Sequence, residues 1–338
     1  MCVSATSRKL PTAVHPCYHL SAPVSRPPAC RPGSAVPRFA IIVPAYNASE
    51  TIRETLNAVS AQHYADWECV VVNDGSTDQT PDIVREYCRA DERFRLVEQV
   101  NQGAPAAHNA GVRASTADFL VLCAADDYLF PNHLSAMAEL AASRAECSIF
   151  SSNGEYLYPD GSRRTVYPEE VWRHERFLTF EQVLSVCFFS VGAVYRRSIF
   201  DEVGGFRVGV YVDDYDFWLR TMLRGAKHVY TPEVLATHRI SATQQSADVL
   251  RVFDSNVEVF MNLKDEDGVT PEQVQLIDAA IATREKWIRD TRWRQSAERQ
   301  ADRIRPALQK LVGEQLSTRM LDLLLSARGW LRLRRIGA

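Results

Sequence analysis

No apolar run in this chain approaches the roughly 18 to 20 residues needed to cross a bilayer, so no membrane-spanning segment is expected. The eight cysteines are scattered, without a CxxC pair or a zinc-ligand spacing. That pattern excludes a zinc framework and points to structural thiols in a reducing compartment, the cytoplasm. Positive charge is not in excess either: the formal net charge is -3, too little basic character to displace counterions from a duplex, and no nucleic-acid partner is expected. Neither GxGxxG nor a lysine-bearing phosphate loop follows the first apolar strand, which runs instead into Pro44-Ala45-Tyr46-Asn47. Dinucleotide oxidoreductases and nucleotidyl transferases built on such loops are therefore disfavoured. No internal repeat is visible.

What remains is an ordinary globular composition, 46% hydrophobic and 24% charged over 338 residues, enough for one large domain with appendages or for two. Residues 1–37 are rich in Pro, Ser, Arg and Ala with no period that would bury a face, and read as a disordered leader. A transit segment and an over-extended start are both open there. From Arg38 onward, apolar strands alternate with helices. Phe39–Val43 is a strand that Pro44 should stop, and Ser49 should cap a helix with Ile52, Leu56 and Val59 on one face. Glu68–Val72 is the second strand, ending at Asn73-Asp74-Gly75-Ser76, after which Thr80-Pro81 gives a cap and a first helical position. Arg95–Val97 is the third, followed by Asn101-Gln102-Gly103 and a small-residue helix from Ala104 to Ala114. Phe119–Leu122 is the fourth, with Asn132 capping the next helix.

Strands that are apolar throughout predict a mostly parallel, Rossmann-like α/β sheet flanked by helices, with its ligand crevice beyond the strands' carboxyl ends. Tyr46, Asp74 and Asp126 all fall there. Between Ser148 and Val194 the pattern is irregular and reads as strands and a variable loop beside the crevice. Val212–Arg220 starts a helix, and beyond about residue 247 the chain is helical, with a capping box at Thr270-Pro271-Glu272-Gln273.

The residues with chemistry to offer sit at these strand ends. Asp126 and Asp127 follow a buried strand, where adjacent carboxylates suit Mg²⁺ or Mn²⁺ bridging to a nucleotide's phosphates; they equally suit a turn that favours a helix start. Asp74 can accept a base N–H beside the flat face of Tyr46, or it can end its strand as an Asx turn. Asp213, Asp214 and Asp216 stabilise a helix start in any case, but three acids in four residues exceed what capping requires.

In combination, Ile42–Asn47, Val71–Asp78, Asn101–Gly103 with His108-Asn109-Ala110-Gly111, Ala125–Tyr128, Val203–Phe206 leading to Asp213–Arg220, and His238 with Ser241 and Ser246 resemble the family 2 glycosyltransferases of the GT-A fold. The resemblance runs over roughly residues 38 to 246 in that family's order and spacing. It implies a GT-A domain over 38–247, an α-helical C-terminal extension over 248–338, and inverting transfer of a sugar from a nucleotide-diphosphate donor. The donor is usually a UDP-sugar, and the acceptor is a hydroxyl of a glycan, lipid or small molecule, as in polysaccharide biosynthesis. Under the resemblance, Pro44, Ala45, Tyr46, Asn47, Asp74, Gly103, His108, Asn109 and Asp126 hold the nucleotide sugar. Asp126, Asp127 and His238 hold the divalent cation, Mn²⁺ or Mg²⁺, and Asp213-Asp214 supplies the catalytic base, Asp214 being favoured. For His108 and His238 a histidine satisfied within the core is an equally good reading.

Three departures from the family pattern stand out. Ala124 replaces an acid that often precedes the Asp pair; His108 stands where arginine is frequent, so a phosphate contact there depends on protonation; Asp213 is one methylene shorter than the common glutamate. The first keeps open a rival of another class, a non-catalytic protein that binds nucleotide sugar or glycan. Trp287 and Trp293 read as packing anchors, although an acceptor site could use them. The tail, Leu321–Leu325 with Trp330–Arg335, reads as a helix packed on its own domain or on a second copy of the chain, and is also compatible with a peripheral contact at the inner face of an anionic membrane.

Overall fold

Four apolar segments pair as parallel strands and set the frame. The computed structural model describes residues 38–167, 173–185, 187–188, 190–241, 244–312 and 314; the leader at 1–37 and the tail at 321–335 lie outside the described residues. Strands β1 (Phe39–Ala45), β2 (Trp67–Asp74), β3 (Phe94–Gln99) and β4 (Phe119–Leu122) stand in the order β3-β2-β1-β4, with Ile42 opposite Val70 on one side and Leu122 on the other. They are apolar on both faces because both are covered. Ile52, Leu56 and Val59 of α1 (Ile52–Ser60) and Ile83 and Val84 of α2 (Thr80–Ala90) pack on one face, and Ala107 and Val112 of α3 (Ala104–Ala114) on the other. Helix α3 is built of small residues because it rides close: a Cβ on Gly111 would lie 2.5 Å from Ile42 Cγ2.

Local details depart from the sequence reading for physical reasons. Pro44 does not stop β1, which continues opposite Val72 to Ala45. Pairing with β4 ends at Ile42, so the missing N–H of Pro44 removes no ladder bond on that side. Ser49 is not the cap of α1; its N–H donates to Asp78 Oδ2 at 3.0 Å. Thr80 is itself helical, and its N–H donates to Asp78 Oδ1 at 3.0 Å. Asp78 therefore ties two helix starts together. Burial would raise its pKa, but the bonds from Thr80 and Ser49 outweigh it and bring the value to about 2.

Beyond β4 the sheet becomes mixed. The chain turns through Asp126-Asp127 into a two-residue β5 (Tyr128–Leu129), then α4 (His133–Ser143), β6 (Ile149–Leu157), β7 (Arg163–Thr165), β8 (Arg176–Leu178), α5 (Phe180–Ser185), β9 (Val194–Arg196), α6 (Arg197–Val203), α7 (Asp213–Leu223) and β10 (His228–Arg239). Strand β9 runs antiparallel to both β4 and β6, β6 is parallel to β10, and β5 is antiparallel to β10. The parallel sheet expected from the sequence thus holds for β1–β4, where helical crossovers join each strand to the next, and gives way where shorter connections return the chain. Helices α8 (Val249–Leu263) and α9 (Pro271–Val312) complete the fold. Val259, Phe260, Leu263 and Ile277 share one core with Tyr215, Phe217 and Trp218 of α7, so these helices belong to the same body as the sheet. Among the described residues no helix is long and apolar enough to cross a membrane.

Candidate active site

The carboxyl ends of β1 and β4, the start of α7, the end of β10 and the facing sides of α8 and α9 enclose a cleft of about 1330 Å³. Pockets that hold one drug-sized ligand run to roughly 300–1,000 Å³, so there is room for two substrates. Pro44, Tyr46 and Asn47 form one end of it, with Tyr46 53% exposed. Asn47 takes a left-handed φ of 48°, which asparagine tolerates. Its side-chain oxygen accepts the Thr77 N–H at 2.8 Å and its own N–H donates to Ser76 Oγ at 3.0 Å, so the turn is stitched to the loop after β2. Ala45 points the other way, into the core, and its expected contact with a nucleotide is not met.

Asp74 is not at the rim. It is 3% exposed and accepts three hydrogen bonds: Gln99 Nε2 (2.8 Å) and the Gln102 N–H (2.9 Å) on Oδ1, and the Gly103 N–H (2.8 Å) on Oδ2. Gly103, at φ 87°, thus spends its N–H on Asp74. Neither residue lines the cleft; together they fix the loop that leads into α3. Asn109 also departs from expectation. Its Nδ2 donates to the Phe206 carbonyl at 2.7 Å and its Oδ1 accepts the Phe206 N–H at 2.9 Å, a clamp that holds it outside the cleft lining. A Cβ on Gly205, whose φ is 78°, would come within 2.7 Å of that Oδ1, so the clamp requires a glycine there. His108 lines the cleft but stacks on Phe206 at 4.9 Å, and neither ring nitrogen makes a hydrogen bond of normal geometry. Burial lowers its pKa to about 3, so it is neutral at physiological pH and offers an N–H, not a charge.

The acids gather on the opposite side. The Asp126 carboxylate faces the cleft and accepts no hydrogen bond from another described residue, while its backbone carbonyl accepts Arg239 Nε at 3.2 Å; burial, then the charge of Asp127, raises its pKa. Asp127 is 1% exposed and accepts His238 Nδ1 at 3.0 Å and the Arg239 N–H at 3.0 Å. Burial alone would lower the pKa of His238, but the bond and charge of Asp127, with Asp126 and Asp214 nearby, raise it. The expected cation ligands Asp127 and His238 are therefore bonded to each other, and among the described residues no three His, Cys, Asp or Glu side chains are placed to hold a metal. The arrangement still fits a cation carried in by its substrate. Mg²⁺ and its relatives are commonly bound through one or two carboxylates plus phosphate oxygens and water, and Asp126 is an open carboxylate whose charge burial leaves uncompensated.

Asp213 and Asp214 begin α7 and both line the cleft. Asp214 accepts Ser190 Oγ at 2.7 Å and the Tyr215 N–H at 2.7 Å. Asp213 is more deeply buried, and burial, then the charge of Asp214, pushes its pKa well above the carboxylate range. Of the acidic run, Asp216 is not part of the cleft: fully buried, it pairs with Arg220 Nε at 2.8 Å and with Arg207 at 3.2 Å. The sequence reading gave no role to Asp78, Ser190, Arg239 or Arg284, and read Trp287 as a packing anchor that an acceptor site could use. The spacing of Arg284 and Trp287 places them on one face of α9, but no pattern in the sequence says that this face meets the cleft.

Residues 40–204 match the family model described as Glycosyl transferase family 2. Among curated relatives, the chain is 27% identical over 214 residues to glycosyltransferase GlyA of Streptococcus pneumoniae, covering 60% of this chain and 30% of that protein. It is 28% identical to the uncharacterized glycosyltransferase YwdF of Bacillus subtilis, covering 63% and 78%, and 31% identical to EpsJ of the same organism, covering 43% and 41%. The match thus spans less than half the length of GlyA and of EpsJ. Among solved structures, S. aureus TarS with UDP-GlcNAc superposes with a TM-score of 0.61 at 18% identity, covering 73% and 72%. The mannosyltransferase PcManGT from Pyrobaculum calidifontis, solved with GDP-Man and Mn²⁺, superposes with a TM-score of 0.58 at 21% identity, covering 87% of each chain. At these identities the likeness establishes a shared GT-A architecture.

Proposed function

We propose, from the match of residues 40–204 to glycosyl transferase family 2, that the chain transfers a glycosyl group from a nucleoside diphosphate sugar to an acceptor hydroxyl, with inversion at the anomeric carbon. One observation carries the reading: Asp126, Asp213, Asp214 and His238, drawn from distant parts of the chain, line a single cleft. The base of the donor lies over Tyr46 and beside Asn47. Asp126, together with diphosphate oxygens, holds a divalent cation, which when bound neutralises the charge of the leaving diphosphate. Asp127 and His238 keep that strand end in place.

Asp214, oriented by Ser190, removes the proton of the acceptor hydroxyl as its oxygen bonds to the anomeric carbon. Burial and the charge of Asp214 bias Asp213 towards its protonated form. UDP-sugars and GDP-sugars are the first donors to test, since the two neighbouring structures hold one of each. A thermal-shift screen of nucleotide sugars with Mn²⁺ identifies the donor, because a ligand of the folded state raises its melting temperature. Transfer or donor hydrolysis is then assayed with that donor. A donor that binds without turnover, and whose binding ignores Asp214→Asn, would return the protein to the non-catalytic class that the missing acid at Ala124 keeps open.

A further inference from the structure

The half of the cleft away from Pro44–Asn47 has a floor that nothing above accounts for. Val252, Phe253 and Asn256 of α8 and Arg284 and Trp287 of α9 line it, across from Asp213 and Asp214. Trp287 is a large apolar side chain left 37% exposed in a concave wall. Its neighbours hold it there: Phe253 lies 5.5 Å away, and the Arg284 guanidinium sits 4.3 Å from the ring centroid.

Arg284 is itself 3% exposed and fixed from behind. It donates to the Ser185 carbonyl at 2.8 Å and, from Nε, to the side chain of Asn256 at 3.2 Å in the amide orientation that satisfies both ends of that asparagine. Its partners are neutral, and burial lowers its pKa, but at 3% exposure its guanidinium is held against the indole as a support. The cleft lining also includes Ser241, Gln244 and Ser246, polar groups linked to one another through Gln244, which accepts the Ser241 N–H at 2.8 Å and donates to Ser246 Oγ at 2.6 Å.

We propose that this floor is an acceptor subsite for a glycosyl residue. The apolar C–H face of a pyranose ring stacks on the Trp287 indole, and one of its hydroxyls is presented to Asp214. The inference rests on the transferase reading for its chemistry: the acceptor C–O–H loses its proton to Asp214, its oxygen bonds to the donor's anomeric carbon, and the bond from that carbon to the diphosphate breaks, the electron pair leaving with the nucleoside diphosphate. It goes beyond that reading in naming a sugar as the acceptor and α9 as the element that selects it. A lipid acceptor would need an apolar channel for its chain, and a phosphorylated one would need an uncommitted cation. The cleft offers Arg239 and Arg284, both already paired within the chain.

The test uses the whole protein labelled with ¹⁵N and methyl glycosides of glucose, galactose, mannose and N-acetylglucosamine as probes, with sorbitol as a hydroxyl-matched control that has no ring. Trp287→Phe identifies the indole N–H signal of Trp287 by its loss. That signal should move with at least one glycoside and not with sorbitol; immobility with every glycoside, or an equal response to sorbitol, overturns the proposal. In the transfer assay, Trp287→Ala should raise acceptor KM by about tenfold or more while changing kcat less than ~threefold. Trp293→Phe, outside the cleft, should alter neither. An unchanged acceptor KM in Trp287→Ala also overturns it. A wild-type protein whose indole responds to glycosides but which turns over no donor would instead sink the transferase reading and leave the sugar subsite standing.

Discussion

Asp74 and Asp213 are nearly equally buried, at 3% and 9% exposure, yet they carry their charge in opposite ways. Asp74, in the parallel half of the sheet, faces two backbone N–H groups and the Gln99 amide. Asp213, in the mixed half, meets backbone N–H groups at its own helix start and a second carboxylate, and its pKa rises under burial and that neighbour's charge. A carboxylate satisfied by three donors from the chain belongs to the frame that shapes a site. One left beside another acid is a cost to folding that only a ligand or a proton relieves. The same contrast separates Asn109, whose amide is clamped to Phe206, from Asp126, whose carboxylate accepts no hydrogen bond from another described residue.

Asp214 is where the contrast should yield its largest effect. Asp214→Asn should lower the transfer rate by roughly 10²–10⁴-fold, the range of a lost general base, while the donor-induced rise in melting temperature persists. A rate that survives the change would move the base elsewhere and leave the acidic pair as a helix-start feature. His238 comes next, because among the described residues it is the one side chain paired with the buried Asp127. His238→Ala should cost about 3 kcal/mol in chemical denaturation at pH 6, from the charge it leaves unpaired. The pair has a sign in pH. The folded-state pKa of His238 is raised above its ordinary value, so its contribution is complete below about 6.5 and fades as pH climbs through the raised value. The gap between wild type and variant should therefore narrow on the alkaline side; a gap that widens would mean His238 does not hold a proton for Asp127.

Asp74→Asn tests the other arm. The amide can accept on one side only and turns an N–H toward donors, so charge-assisted bonds are lost and about 2 kcal/mol of stability with them. Donor affinity should fall together with stability, since the loop to Gly103 loosens. A variant that binds donor poorly but melts like the wild type would break the comparison, because Asp74 would then act on the ligand alone.

How far the sequence disclosed this arrangement follows from the same distinction. The four parallel strands and α3 were legible because burial on both faces writes an unbroken apolar run, and because Gly111 and its small neighbours record a close helix–sheet contact. The acids of the cleft were legible as motifs. What a motif does not carry is the direction of a side chain. Asp74 and Asn109 stand in runs of the same family-like set as Tyr46 and Asp126, and only the fold shows that the loop at Gly103 and the turn at Phe206 return to bond their polar atoms. The strand β5, two residues long, and the antiparallel β9 leave no periodic signature of their own. Trp287 was read as packing because an i, i+3 pair on a helix names a face but not what that face meets.

The smallest effect expected is also the one that isolates the uncompensated acid. Because the pKa of Asp213 is raised from 3.8 by burial and by Asp214, the folded protein keeps a proton that the unfolded chain releases. Stability therefore declines as pH rises from about 4 through the raised value, the direction given when the native state binds more protons. Asp213→Asn removes the titration, keeps the shape of the side chain and spares Asp214 a like charge. The variant should match the wild type near pH 4 and exceed it at pH 8 by about 1 kcal/mol, roughly 2 °C in melting temperature for a chain of this length. Melting curves of both proteins across that range give the answer directly. If the curves stay parallel, Asp213 is as well compensated as Asp74, and the two halves of the molecule handle buried charge alike.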